Sequence, residues 1–473
     1  MVIEKLPLKS KIAYGGLGAG ISLPSQIAFS AITFFYNAVL GLDAGLAGIA
    51  WLIFSVWNAI NDPLFGFIED KTKSEKYGRR IPYIRFGAPL YGLAFVLCWI
   101  PFVDINNQTA LFFNLIVVLF VFDTMFTILG LINYTLPAEM AINAKERANL
   151  LVYSSIINSI ALLLAFIIPI FLLTGNEAPD SPQIFIIAMV FVGIISALII
   201  FISSYYLKEN KYTQLEESLS VIQGIKETFK NKPFMVFEVA NFSFIMGQTI
   251  LTTAIFYYVD YVLRLTGFLS ILPLLLVFLM IFAFLIIYKK LIERWGVKKT
   301  FIFALLWTGL SFLLVFFIGW TLAFAIIGFI LIGIGISGYL LTNQVVIADI
   351  VDYDEIRTGK RRETTYSGIN ALITKPAISI ANWMFLVIIG AFGFVEKQPV
   401  QEFPAQLGIM MGFALIPSFF LIIGGVVMFY YSLDGPHWLA QKEEIIKTHE
   451  EKERTYLEYL EKKKYERIPQ NNL

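Results

Sequence analysis

Residues 44–70 read AGLAGIAWLIFSVWNAINDPLFGFIED. From Ala44 to Asn61 nothing is charged, so a helix rising ~1.5 Å per residue crosses most of a hydrocarbon layer of ~30 Å before meeting an acid. That acid is Asp62. An ionisable group in the body of a membrane segment is costly, roughly 3 kcal/mol or more, and marks a water-filled path or a partner charge. Asn58, Asn61 and Asp62 follow the spacing i, i+3, i+4 and share one helical face, which gathers amide and carboxylate oxygens. Hard cations prefer such oxygens. Pro63 cannot donate to the helical ladder, which frees the carbonyl of Ala59 as a further oxygen. The segment therefore predicts a membrane helix with a cation site on Asp62, Asn58 and Asn61, suited to a proton or to Na+ at Asp62.

The rest of the chain has the same character. Of its 473 residues, 58% are hydrophobic and 15% charged, outside the range of soluble domains. Hydropathy predicts an all-α polytopic membrane protein with twelve spans, at 12–39, 44–68, 82–103, 109–136, 149–174, 183–206, 233–262, 268–288, 300–318, 321–348, 366–395 and 405–432. The longest polar connection separates the sixth from the seventh. This divides the chain into a six-helix bundle over 1–207, a central loop over 208–232, a second six-helix bundle over 233–432 and a charged tail over 433–473, the layout of a transporter built from repeats. Nothing before Ile12 resembles a cleavable signal, so the first span is expected to stay. The tail, dense in Glu and Lys, is expected to be a solvated or interfacial helix.

Charge sets topology and excludes several functions. Lysines and arginines crowd every second loop, among them Lys71, Arg79, Arg80, Lys145, Arg147, Lys208, Lys289, Lys298, Arg357 and Arg362, whereas the opposite loops hold only Arg264 and Lys397. Both termini are thus expected on the cytoplasmic side of a cell membrane. A formal net charge of +1 gives no basic surface for nucleic acid. One cysteine, Cys98, and two histidines in the tail, His437 and His449, leave no zinc cluster and no Ser-His-Asp site in the spans. No enzyme and no cofactor beyond a coupling ion is expected.

Two further charges stand out deep inside spans. Asp123 occupies the middle of the fourth, in Val-Phe-Asp-Thr-Met-Phe-Thr, where a solute hydroxyl is a suitable partner. Lys375 lies in the eleventh, after Asn370 and Thr374 and before Pro376. Placed between Asp62 and Asp123, it would compete with a cation at Asp62 and couple ion to solute. Glu238 is expected to snorkel to the interface or to function, and Asp260 to be hydrated. Tyr14, Tyr36, Trp57, Phe126 and Trp383 are aromatic candidates for stacking on a sugar ring.

The loops carry a more specific signature. Asn61-Asp62-Pro63-Leu64-Phe65-Gly66 leads through Glu69-Asp70 to Gly78-Arg79-Arg80, where Gly66 reads as a close helix approach and Asp70, Arg79 and Arg80 as a lock between helix ends. Asn133-Tyr134-Thr135-Leu136-Pro137-Ala138-Glu139 with Glu146-Arg147, and Asn231-Lys232-Pro233-Phe234 with Tyr257-Tyr258, add to it. So does Ala348-Asp349-Ile350-Val351-Asp352-Tyr353-Asp354-Glu355, continuing through Arg357, Arg361 and Arg362. In combination these resemble the glycoside-pentoside-hexuronide:cation symporter family of the major facilitator superfamily, over about Tyr14 to Phe394. The resemblance implies that superfamily's fold of two six-helix halves. It also implies that Asn61 and Asp62 bind the coupling cation, Asp123 the solute, and that Lys375 links the two, with Asn370 grouped as a solute contact. The loop residues Gly66, Asp70, Arg79, Arg80, Asp352, Arg357, Arg361 and Arg362 would set conformation. The chain departs from the family at Asn58, which replaces a second cation carboxylate, and at Ser22, which replaces a sugar-binding acid. It also departs at Thr127, which replaces a sugar-stacking tryptophan, and at Ser155, which falls where an ungapped match puts an arginine.

The sequence thus predicts symport of a sugar or glycoside with a monovalent cation, H+ or Na+, by alternating access. Two other readings stay open: symport of a lysophospholipid or other amphipathic solute, and a non-transporting sensor or scaffold that signals through its tail.

Overall fold

Lipid offers no hydrogen bonds to the backbone, so a segment crossing it closes its own ladder as a helix. The computed structural model describes residues 6–71, 80–141, 144–175, 182–207, 228–359, 362–445 and 447. Its helices are α1 (Leu8–Phe34, prolonged by a π-helical turn, Phe35–Val39), α2 (Ala44–Lys71), α3 (Ile81–Leu97), α4 (Gln108–Met140), α5 (Ala144–Leu173) and α6 (Gln183–Ser203). There follow α7 (Lys232–Tyr257, prolonged by the π-helical turn Tyr258–Val262), α8 (Phe268–Trp295), α9 (Val297–Ile318), α10 (Leu322–Thr358) and α11 (Glu363–Ala391). The last of the spanning helices, α12, runs through Phe403–Met410, a π-helical turn Met411–Leu415, and Ile416–Val427, and residues 435–445 of the tail form a further helix. No strand occurs among the described residues.

The twelve helices fall where the spans were expected, with one correction. Among the described residues eleven are long and apolar enough to cross a membrane, whereas α3 has 17 residues, about 26 Å at 1.5 Å per residue. The span expected to reach 103 ends early because Pro101 disfavours helical geometry in the residue before it.

Packing follows one scheme twice. α1 lies on α5 and α6, α2 on α4, and α3 on α4 and α6; six helices later α7 lies on α11 and α12, α8 on α10, and α9 on α10 and α12. Helix ends repeat as well. At the end of α1, Leu40 N–H donates to Phe35 O at 2.9 Å and Leu42 N–H to Tyr36 O at 2.8 Å; at the end of α7, Leu263 donates to Tyr258 O at 2.9 Å and Leu265 to Val259 O at 3.0 Å. The same relative position takes positive φ in both, Gly41 at 82° and Arg264 at 52°. Between the two sets, α2 lies against α11, α1 against α7 and α5 against α8.

Small residues permit the closest crossings. A Cβ at Gly338 of α10 would collide with the ring of Tyr288 on α8 and with Ala304 on α9. Overpacking such a crossing costs about 1–3 kcal/mol. Gly338→Val is therefore expected to lower the melting midpoint of the purified protein, and an unchanged midpoint would contradict the packing.

Candidate ion and solute site

The long contact of α2 with α11 brings Asp62 to Lys375. The ammonium Nζ donates to Asp62 Oδ1 and lies 3.4 Å from Asn61 Oδ1 and 3.5 Å from Thr127 Oγ1. On α4, Asp123 and Thr127 are spaced i, i+4 and share one face. Asn61 Nδ2 donates to Asp123 Oδ2 and, at 2.9 Å, to Thr127 Oγ1, whose hydroxyl donates to Asp62 Oδ1 at 3.2 Å. Asn58 Nδ2 points to Lys375 O at 3.4 Å. The cluster is interior: Asn61, Asp123, Thr127 and Asn58 are buried, and the side chains of Lys375 and Asp62 keep 18% and 20% of their exposure.

Charge is the informative quantity here. Two carboxylates face one ammonium, so with both acids ionised the cluster is one positive charge short. Buried charge without compensation is unfavourable, and one proton or one monovalent cation balances it. The donor set fits either ion, because the oxygens of Asp62, Asn61 and Thr127 already surround a single positive group. No group of three or more His, Cys, Asp or Glu suited to a metal occurs among the described residues.

The placement of the expected residues is uneven. Asp62, Asn61, Asn58, Asp123, Thr127 and Lys375 come together, but Lys375 bonds Asp62 alone of the two acids, and Asn61 and Thr127 relay to Asp123. Ser22 instead donates to Asn158 Oδ1 at 3.0 Å, and Asn370 accepts from Asn241 Nδ2 at 2.6 Å. The aromatic candidates are engaged in packing. Tyr14 donates to Asn133 O at 2.9 Å, Tyr36 accepts from Asn114 at 2.7 Å, and Phe126 meets Phe29 edge-on at 5.7 Å. Trp57 stacks on Phe120 at 5.3 Å, and Trp383 lies against Gly48.

Toward the loops after α1, α7 and α11 the two sets are sealed. Thr33 Oγ1 donates to Asn382 at 2.7 Å, Tyr257 Oη to Asn37 Oδ1 at 2.9 Å, and Asn37 Nδ2 reaches Glu396 at 3.4 Å. Phe34, Tyr257, Tyr261, Phe385 and Phe394 close over them with ring centroids 4.9–5.5 Å apart in successive pairs. Asp260, expected to be hydrated, accepts from Gly175 N at 2.8 Å and ties the end of α5 to α7.

At the opposite end the centre is Asp354, a residue with no role assigned from the sequence. Arg362 clasps it with Nε and a terminal nitrogen at 2.8 and 2.7 Å, and Arg357 adds a bond at 3.1 Å. The signal was present as an aspartate flanked by arginines at +3 and +8. Arg80 is buried and precedes α3, and Asp352 sits two residues before Asp354. Gly66 corrects its reading as a close approach, since among the described residues an added Cβ would meet only Leu131, at 4.0 Å. Arg79 and Arg361 lie outside the described residues, as do residues 208–227 of the central loop and the side chain of Asp70. Glu238 does not snorkel: it is 1% exposed. The first turns of the tail are docked rather than solvated, with Trp438 and Lys442 on Asp349.

The family described as MFS/sugar transport protein matches residues 12–435. The uncharacterized symporter YnaJ of Bacillus subtilis is 24% identical, over 97% of this chain and 98% of its own length. The glucuronide carrier protein homolog of Escherichia coli is 24% identical over 84% and 87%, and the isoprimeverose transporter of Lactiplantibacillus pentosus 23% identical over 94% and 93%. In fold, the crystal structure of a D-xylose-proton symporter superimposes with a TM-score of 0.66 at 13% identity, over 90% of this chain and 97% of that one. A match running from Ile12 to Gly435 on this fold means that the chain belongs to the MFS/sugar transport protein family, the glycoside-pentoside-hexuronide:cation symporters, and is a multi-pass membrane transporter, not an enzyme.

Proposed function

We propose that this protein carries a sugar or glycoside together with one monovalent cation, H+ or Na+, and that Lys375 couples the two. The observation that supports this is the charge imbalance of the Asp62, Asp123 and Lys375 cluster. Lys375 holds the carboxylate of Asp62 when no ion is bound. An arriving cation takes over Asp62, and the released ammonium reorients toward Asp123, where solute hydroxyls bind. Each ligand then raises the affinity for the other by the same factor. The solute site would combine Asp123 and Thr127 with Ser22 and Asn370, brought closer as the halves move. With the termini cytoplasmic, as the positive loops favour, the aromatic seal lies on the outer side, and the two six-helix sets rock about the cluster to open one side at a time.

The test is uptake by purified protein in vesicles of isoprimeverose, a β-glucuronide and D-xylose, under imposed proton or sodium gradients. Accumulation of at least one solute, lost when the matching gradient is dissipated, is the expected result. Uptake indifferent to both gradients, or of none of the three by folded protein, would overturn the reading.

A further inference from the structure

A second buried acid stands apart from the Asp62 cluster. Glu238, on α7, is 1% exposed, and no lysine or arginine pairs with it among the described residues. Among the described residues Tyr339 of α10 is a titratable group in electrostatic contact with it. On α11 the nearest charge in sequence, Lys375, is bound to Asp62, and α12 has no ionisable side chain between Phe403 and Val427. At the starts of α1 and α5, Lys11 and Glu146 pair with each other, Lys11 lies over Tyr153, and Tyr14 and Arg147 bond backbone carbonyls.

Three polar side chains form a chain that ends on Glu238. Tyr339 Oη donates to Asn241 Oδ1, and Asn241 Nδ2 donates to the terminal amide atom of Asn370 at 2.6 Å. That same Asn370 atom lies 3.0 and 3.2 Å from the two carboxyl oxygens of Glu238. Which atom of an asparagine amide occupies such a position is decided by its bonds. With nitrogen there, Asn370 serves an ionised Glu238 but sets its own NH2 against that of Asn241. Turning Asn241 as well takes from the Tyr339 hydroxyl the acceptor it now uses. With oxygen there, Asn370 accepts from Asn241, Tyr339 keeps its acceptor, and the remaining contact, oxygen against carboxyl oxygen, is satisfied once Glu238 carries a proton.

We propose that Glu238 is a second cation site of this carrier, one that takes a proton, and that its occupancy sets the orientation of Asn370, Asn241 and the Tyr339 hydroxyl. The proposal rests on the cation-coupled reading above. Binding converts the carboxylate to a carboxylic acid whose O–H donates to Asn370 Oδ1. Release returns the proton to water when that side opens, and turns both amides over. Asn370 and Lys375 share α11, so the two ionic sites report to one helix.

Infrared spectroscopy of the full-length protein in lipid vesicles tests this without any solute, so its outcome is separable from that of the uptake assay. A carboxylic C=O band is expected at neutral pH, lost at alkaline pH, missing from Glu238→Gln and displaced in Asn370→Ala. Should Glu238→Gln not fold, the neutral-minus-alkaline spectrum of wild-type protein with isotope-labelled glutamate reads the same band. Absence of a titrating glutamic acid band overturns the proton site. A band that Asn370→Ala leaves unmoved overturns the network.

Discussion

Asp62→Asn is expected to abolish cation-driven accumulation. The substitution removes the carboxylate charge that Lys375 Nζ pairs with and brings the cluster from one charge short to neutral, so no net negative charge remains to recruit an ion. The pair keeps 18% and 20% of its side-chain exposure, so breaking it lowers stability by less than the ~3–5 kcal/mol of a fully buried pair, and cation-driven accumulation falls to background. Part of this is the cost of leaving Lys375 unpaired, which a second substitution separates. Asp62→Asn combined with Lys375→Gln should recover the melting midpoint, while accumulation stays lost because the carboxylate is still missing. Uptake is measured with imposed gradients and ion binding by its effect on the midpoint. Wild-type accumulation by Asp62→Asn would end the mechanism.

The pieces of this cluster were legible in the sequence because lipid makes charge conspicuous. Asp62, Asp123 and Lys375 stand out in apolar runs, and the spacing of Asn58, Asn61 and Asp62 places them on one face without any tertiary information. What the sequence did not give was the wiring. Asn61, not Lys375, bonds Asp123, while Thr127 bonds Asn61 and Asp62, because the relative height of α2, α4 and α11 is set by packing over their whole length. Of the two readings of Glu238, snorkelling fails for a related reason. Six residues into α7 it looked close enough to the interface to reach water, yet α10 and α11 cover it with Tyr339 and Asn370. Ser22 shows the reverse, since its hydroxyl finds Asn158 within its own helix set. The shortness of α3 was written in Pro101, a signal weaker than the hydropathy around it.

The two ionic sites have opposite electrostatic designs, and this separates their chemistry. At Asp62 an ammonium already occupies the carboxylate, so in the proposed cycle an arriving cation displaces a charge. At Glu238 no lysine or arginine pairs with the acid among the described residues, and the neighbouring chain is two amides and a hydroxyl that reverse direction without leaving. A displaced ammonium suits coupling to a solute, whereas a reversible amide chain suits holding a proton at low cost in rearrangement.

Asp354→Asn is expected to have the largest effect on stability. Its carboxylate has no exposure and receives two charge-assisted bonds from Arg362, itself 6% exposed, and a third bond from Arg357. Two parallel bonds from a guanidinium fix direction as well as distance, so the pair sets how α10 ends and how the chain turns into α11. Asparagine keeps the size but offers one acceptor where two ionised oxygens stood, and loss of a buried ionic partner costs about 3–5 kcal/mol. The melting midpoint should fall sharply. Arg362→Gln alone should also lower it, and the double variant should lose less than the sum of the two, since contacting partners are not additive. Additive losses would mean that the pair is incidental. Because α11 carries both Asn370 and Lys375, a loosened turn should also slow uptake in protein that remains folded, at temperatures below the lowered midpoint.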